Sequence, residues 1–563
     1  MGLSMNRAAK LFIILILLPT VAWCEPDDSA PAQILFLMKN GEVERALDKY
    51  RENYGGAFDH DHELLQEIGL MILNEGSSSR DPEVQLLTLF GAGISINERA
   101  FPILLSGIKS PIPQAQLVAL NMLSRFESDD SEEAMQLAMR SDFPLIRLEA
   151  AFHLAEKKHP NAISQTEALM YKLPPEAFVL FPQLYAQFST PTATRLLRQL
   201  LNHPLTDVRI SSILSVGKCG RDDLLGSVRT LMTQLDIAQQ EACATTAGTL
   251  KDGQSRGQLR ILTRSKSDNV RLAALYALHQ IGADDVAEEI VDIARDGNPF
   301  AIRVLGKVPG TEGTLYELCQ SKNLTVRINA GLALLEHHDP RCLNAIAEVL
   351  IHDSRDLAFI PVSTVGKSMT SIKVVPSASQ NLKDAAVAYE MSLRLREQTL
   401  TDTFQLPLAA YLELARLLFE VGQPELIPTL VHNLETESNS ASTALLKQYS
   451  VKAGAPLIRN YCNLALYRMK EDGPYKQQLS KWVAAHHHHE LIRFRPMLPN
   501  QGIDDRHPYH LTPQETSRLL VESFESIAKA QDSHGIDILI EAIRNGNPKN
   551  RYALAGLLMH ATL

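Results

Sequence analysis

The sequence predicts an all-α fold, a solenoid of stacked antiparallel helical hairpins, and three observations predict it. One apolar helical stripe recurs at a fixed spacing, and two side-chain columns run through its copies. The composition, with only 2 Trp and 6% aromatic residues among abundant Leu and Ala, favours helix over sheet. A chain of 563 residues exceeds what one hydrophobic core organises, and a repeat array meets that limit by burying each unit against its neighbours.

The N-terminus reads as a targeting segment. Arg7 and Lys10 precede the apolar run Leu11 to Leu18, and Pro19, Ala22 and Cys24 follow. A basic flank, a short apolar stretch and small residues near a cut describe a signal peptide over 1–24, so the chain is expected to be exported, periplasmic or secreted. The run is shorter than the roughly 20 apolar residues that span a bilayer, and no later segment reaches that length. Val21-Ala22-Trp23-Cys24 also resembles a lipoprotein box, which would place a lipid anchor on Cys24. Residues 25–77 then read as an N-terminal helical cap, with helices over Pro31 to Tyr50 and His62 to Leu73.

The repeat occupies 78–351. In Asp268 to Leu278, Asp268 is placed to cap a helix, and Val270, Ala274, Ala277, Leu278 and Ile281 form one apolar stripe. With Val270 as anchor, the series runs Val84, Ala115, Ile146, Ala177, Val208, Gln239, Val270, Ala301 and Val326, in seven steps of 31 residues and a last one of 25. Four residues on lie Thr88, Ala119, Ala150, Phe181, Ser212, Cys243, Ala274, Leu305 and Ala330, mostly small, as a close helix crossing requires. Eight residues on come Ala92, Leu123, Leu154, Tyr185, Val216, Ala247, Leu278 and Leu334, the expected core. A second helix between anchored ones, as at Asp285 to Ala294, makes each unit a hairpin. Pro144 and Pro299 mark helix starts, where proline is tolerated.

Directly after the anchor stand Arg147, Arg209, Arg271 and Arg327, with Gln85, Gln116 and Gln240 in other copies. These arginines, with Arg459 further on, are expected to form a structural ladder, pairing with a neighbouring unit or with helix C-terminal carbonyls. The pattern in Asn269-Val270-Arg271 to Leu278, and in Asp207-Val208-Arg209 to Val216, resembles the second helix of a HEAT repeat. The short period is similar to the compact HEAT-like repeats of bacterial proteins, phycobiliprotein lyases among them. That resemblance implies the fold over residues 78 to 350 and leaves function open.

The period fails in two places. Another 31-residue step puts Pro361 inside a helix, which proline disfavours, so 352–381 reads as an irregular insertion with a small hairpin across Pro361 to Val375. It is the first candidate for a partner contact. Helical repeats resume over 382–484, where Leu408 to Val421 is amphipathic and Ile458, Cys462 and Leu466 restore the three columns. A His/Pro-rich irregular segment, 485–513, is followed by a C-terminal helical cap over 514–563, built as one helical pair with an outer face in water.

Chemistry is sparse. A formal charge of −10 argues against nucleic-acid binding. Of His486 to His489, only His486 shares a helix face with His489 or Glu490, short of the three protein ligands of a catalytic zinc site. His-Glu dyads, which di-iron HEAT-like hydroxylases use, occur at His62-Glu63 and His489-Glu490, at opposite ends of the chain, and Glu336-His337-His338 has the reverse order. His153 reads as a core histidine. Cys219, Cys243, Cys319, Cys342 and Cys462 are widely spaced and read as small buried groups. No nucleophile, phosphate-loop or metalloprotease motif is present. No cofactor, metal or catalytic residue is therefore assigned. The expectation is a non-enzymatic scaffold for protein partners. The alternatives are a lyase- or chaperone-like helper for a small molecule or client protein, and a secreted or surface-exposed host-directed protein.

Overall fold

The computed structural model describes residues 29–55, 60–352, 357–376, 382–421, 423–452, 454–496, 511–515 and 517–563. The expected signal peptide and Cys24 lie outside them. The anchored helices are Pro82–Ile94, Pro113–Leu123, Pro144–Glu156, Phe181–Ala186, Thr206–Lys218, Ile237–Thr249, Asp268–Gln280, Pro299–Leu305 and Leu324–Glu336. They line up as one layer, and the helices between them form a second. Every residue in the column four past the anchor is fully buried, and so is every one eight past it except the exposed Pro309, which lies beyond the end of helix Pro299–Leu305. The small column lets the helix backbones approach, and the larger one fills the space behind it.

The two copies that put a large side chain in the small column, Phe181 and Leu305, are those whose anchored helices shrink, to Phe181–Ala186 and Pro299–Leu305. Beyond the first break, Pro456–Arg468 is again anchored, with Ile458, Cys462 and Leu466 buried. Asp268 does not cap its helix: Ser267 precedes the first turn, and the Asp268 carboxylate accepts from Arg271 at 3.0 Å.

Two turn columns complete the unit. Ser79, Ser110, Ser141, Ser265 and Ser321 accept, through their hydroxyls, the backbone N–H two residues on, and His203 does so through Nδ1. These are local turns that pay no ordering cost in long side chains. Twelve residues past the anchor the chain turns left-handed, at Lys158, Gly220, Lys251, Gly282, His338 and Lys470. The next residue's N–H then bonds the carbonyl of the core column: His159 to Leu154, Arg221 to Val216, Asp252 to Ala247, Ala283 to Leu278, Asp339 to Leu334 and Glu471 to Leu466. Each is the six-residue closure that ends a helix with its carbonyls satisfied.

The terminal units correct the expectation of two water-facing caps. The N-terminal unit has three helices, Ala30–Lys39, Val43–Tyr54 and His62–Ser77, because Gly41 turns left-handed between the first two. The C-terminal unit also has three, Arg518–Ala530, Ser533–Asn545 and Arg551–Ala561, because Gly546 and Pro548 interrupt the expected second helix. Helix Arg551–Ala561 packs into the crook of His62–Ser77 and Pro82–Ile94, so the array closes on itself as a ring. A Cβ on Gly556 would overlap the Gly91 carbonyl, and one on Gly91 would overlap the Tyr552 carbonyl. Gly91 sits within the last turn of its helix, where the close approach needs it. Arg51 with Glu541, Arg551 with Glu44, Arg544 with Asp48 and Lys549 with Glu83 bridge the seam. Exposed pairs of this kind contribute about 0–1 kcal/mol each, so helix packing carries the closure.

That assignment has a sign to test. In an ordinary helix Gly→Ala stabilises by about 1 kcal/mol. At the seam, Gly556→Ala is expected to destabilise by about 1–3 kcal/mol through overpacking. Urea unfolding checks the sign, and small-angle scattering should show a larger radius of gyration if the ring opens.

Candidate binding sites at the two breaks in the repeat

In six units the residue after the anchor does one job. Gln85, Gln116, Arg147, Arg209, Gln240 and Arg327 each donate to the backbone carbonyl six residues upstream, on Ser79, Ser110, Ser141, His203, Gln234 and Ser321. Those carbonyls follow the preceding helix's end, which otherwise lacks partners. Arg209 also reaches Gln239 and Asp236 of the next unit, Arg327 forks onto Glu348, and Arg271 binds Asp268 of its own helix. Arg459 is half-buried on its helix. None of the five arginines lines a cavity described below.

At the first break, strands β1 (Leu357–Ser363) and β2 (Thr370–Pro376) form an antiparallel hairpin. The hairpin lies on the anchored helices instead of projecting from them. The Asn329 side chain donates to the Ile372 carbonyl and accepts from its N–H, both at 2.8 Å, as another strand would. Ile372 therefore exchanges no ladder bonds with Pro361 opposite, and the proline's missing N–H costs nothing. On the other edge Phe359 N–H donates to the Ser392 hydroxyl at 3.1 Å. At the tip, the Ser368 hydroxyl donates to the Glu241 carboxylate, and Thr364 and Ser368 bond each other at 2.8 Å. Glu241 is buried two residues past its anchor, where other units carry Leu86, Leu117, Leu148, Ile210, Leu272 and Ile328. Burial pushes its carboxyl above the usual range, and the hydroxyls of Ser368 and Thr364 offset part of that. The hairpin is thus bonded to its own chain at one residue on each edge and at its tip.

The second break lies at the ring seam. Helix Tyr475–His486 leads to β3 (Ile492–Pro496), which pairs with β4 (Leu511–Glu515) against helices Pro82–Ile94 and Pro113–Leu123. Its histidine run is held through the backbone. The Asn550 amide donates to the carbonyls of His489 (2.8 Å) and His487 (3.4 Å), and its oxygen accepts the Leu491 N–H at 2.8 Å. Asn547 holds the carbonyls of His487 and His488. The His486 ring stacks on Trp482 (centroids 4.7 Å apart) and on His489 (5.7 Å). These rings, with Glu490, Arg493, Ser517 and Leu520, line a cavity of about 350 Å³.

Adjoining it, with Arg493 in the wall of both, is a groove of about 690 Å³, bordered by Pro82, Leu86, Ile112, Gln114 and Phe494. Phe494 meets Phe90 edge-on, with centroids 6.2 Å apart. Charges alternate along its rim: Arg493 bonds Glu490 at 2.9 Å, Glu490 faces Lys549 at 3.7 Å, and Lys549 bonds Glu83 at 2.8 Å. The Arg493 hydrogen bond holds the Glu490 carboxyl below its usual range, and the Glu83 bond holds the Lys549 ammonium above its own. The groove takes Leu86 and Glu83 from the start of the array and Phe494 and Lys549 from its end. It exists only because the ring closes.

The dyads His62-Glu63 and His489-Glu490 were set aside because they lie at opposite ends of the sequence. Closure removes that objection, yet among the described residues no three His, Cys, Asp or Glu stand close enough to hold a metal. His153 bonds Asn121 at 3.1 Å within its own stack of helices. Of the described cysteines, Cys243, Cys319, Cys342 and Cys462 are buried and Cys219 half-buried. Burial pushes the thiols of Cys319 and Cys342 up to about 12, and those of Cys243 and Cys462 further in the same direction. Among the described residues no helix is long and apolar enough to cross a membrane.

No protein-family model matches the chain, and no curated protein is similar to it. Solved structures of similar fold include Kap95p bound to RanGDP, at 11% identity and a TM-score of 0.34, covering 90% of this chain and 78% of that one. Kap121p, at 11% and 0.32, covers 91% and 58%. UNC-45 from Drosophila melanogaster, at 12% and 0.31, covers 94% and 87%. At such scores the architecture rests on the chain's own helix packing: a HEAT-like all-α repeat protein of stacked hairpins.

Two changes test the first hairpin's seating. Asn329→Ala strands the buried N–H and carbonyl of Ile372, at about 1–3 kcal/mol for an unmet group. Amide exchange should therefore quicken across 370–376 before it does elsewhere. Glu241→Gln should act through pH. A carboxyl whose pKa rises on folding supports the fold below its unfolded value, about 4.3, and that support is lost as pH rises through the folded value. The variant is thus expected to be more stable than the parent at pH 7 and equal to it near pH 4, as thermal melts across that range will show.

Proposed function

We propose that the chain is an exported, non-enzymatic scaffold that binds a protein partner in the seam groove. The observation that carries this reading is the groove's make-up: an apolar floor of Leu86, Ile112 and Phe494 under a rim of alternating charge. An apolar centre that excludes water, ringed by polar groups, is how protein interfaces are built. The first hairpin is less suited to that role, since its edges and tip are already bonded within the chain. A lyase-like helper acting through a thiolate finds no support in cysteines whose burial holds them protonated. The reading of export rests on the basic and apolar N-terminal run, Arg7 to Leu18.

Site-specific photocrosslinking in the native host tests both parts. A photoreactive residue at Gln114, in the groove, should capture a partner in the extracytoplasmic fraction, and Phe494→Ala should cut that yield several-fold. The same residue at the exposed Lys251 serves as control. Equal yields at the two positions would sink the groove as the contact, and cytoplasmic adducts would sink export.

A further inference from the structure

We propose that the outer edge of β3 takes an extended segment of the protein partner as an added antiparallel strand, with apolar side chains on alternate residues and an acidic residue between them. The inference rests on the scaffold reading and names the kind of segment that the seam groove fits. The register of the second hairpin leads to it. Pro513 stands opposite Phe494, and Pro496 stands opposite Leu511. Two residues of an antiparallel pair that exchange ladder bonds must each supply an N–H, which proline lacks. Phe494 and Pro496 are therefore in non-bonded pairs, and by the alternation so is Ile492, opposite Glu515. The ladder bonds fall to Arg493 with Gln514 and to Arg495 with Thr512. The N–H and carbonyl of Ile492 and of Phe494 thus point away from β4. Among the described residues none bonds them outside the ladder. The first hairpin has the same outward pair at Ile372, and there the Asn329 side chain meets both groups. Unmet backbone groups along a strand edge are the template on which a further strand forms.

Side chains select the segment. Ile492 and Phe494, two residues apart on one face of the strand, are both buried, and Phe494 borders the groove with Leu86 and Ile112. In an added antiparallel strand, the residues that exchange bonds with Ile492 and Phe494 set their side chains on that same face. Apolar groups suit them there. The residue between them comes opposite Arg493, whose own N–H and carbonyl serve β4. That makes a non-bonded pair, in which the side chains stand closer, with Cα atoms about 4.5 Å apart. The Arg493 guanidinium is partly exposed, so a carboxylate opposite it gains a cross-strand pair of unlike charge.

The probe is the fluorescein-labelled peptide acetyl-Thr-Val-Glu-Val-Thr-amide, titrated with the intact chain. Its anisotropy should rise saturably, and amide exchange should slow across 492–494 but not across 370–376. Methylating the two valine nitrogens removes two of the new hydrogen bonds and should weaken binding about tenfold. Lysine in place of the glutamate should weaken it about threefold. Ile492→Pro deletes an outward N–H without breaking a ladder bond and should match the methylated peptide, whereas Ile492→Ala keeps that N–H and binds more tightly. Circular dichroism melts show whether both variants fold. Three outcomes overturn the proposal: no saturable binding at millimolar peptide, a methylated peptide that binds as well as its parent, or equal binding by the two Ile492 variants. In the host, adducts from Gln114 that are equal in Ile492→Pro and Ile492→Ala leave the scaffold reading standing and sink the strand pairing. Peptide binding as expected, with no adduct specific to Gln114, sinks the scaffold reading alone.

Discussion

The molecule depends on how close two helix backbones can come. Each hairpin of the array meets the next across a fully buried column that is mostly alanine, serine, threonine or cysteine, and the ring seals across a contact where even a methyl group is too large. Gly91 and Gly556 bring helices Pro82–Ile94 and Arg551–Ala561 together backbone to backbone. An open repeat array has two ends, each with an apolar face that must be covered. Here each end covers the other. The charged pairs across the seam orient the ends more than they hold them, because most are solvent-exposed and exposed ion pairs are weak.

Closure changes what sequence distance means. Glu83 and Lys549, or Arg51 and Glu541, are neighbours in the ring though they are drawn from opposite ends of the chain. The groove lined by Phe494 is assembled from such pairs. Its floor takes Leu86 and Ile112 from the first repeats and Phe494 from the second break. It follows that binding there and ring integrity are coupled: whatever loosens the seam dismantles the groove, and an occupant bridging both sides stabilises the ring by mass action.

The repeat itself was legible in the sequence because it is local physics repeated. The anchor, small and core columns predict buried positions, and the burial is complete at the small column and, Pro309 apart, at the core column. Two further columns were equally readable: the serines five residues before the anchor, and the left-handed position twelve after it. They mark turns at a constant offset, in polar and glycine positions outside the apolar columns. Closure was not legible. Nothing in a 31-residue period states its accumulated curvature, and Gly91 and Gly556 look like any other helix-end or weak-helix glycines until the partner helix is in place. The hairpins were half legible: Pro361 announces that the helix stops, but not that the inserted strands lie down on the repeat.

What the sequence does offer, once its columns are known, is their violations, and these sort by kind. A large residue in the small column, as at Phe181 and Leu305, coincides with a shortened anchored helix, because bulk at the crossing leaves no room for a full one. At two apolar positions a buried polar residue meets an inserted element. Glu241, in a column of leucine and isoleucine, takes the hydroxyl of Ser368. Asn329, at a position that carries Leu87, Val118 and Ala273 in some units and Glu149 and Ser211 in others, takes the backbone of Ile372. Arg303 pairs at 2.6 Å with Glu336 of the next anchored helix. A buried polar group in a repeat is costly unless something returns to satisfy it. Glu241 and Asn329 are in this sense long-range contacts written locally, whereas the buried Gln239 at its anchor position is satisfied by the turn before it and by Arg209 of the preceding unit.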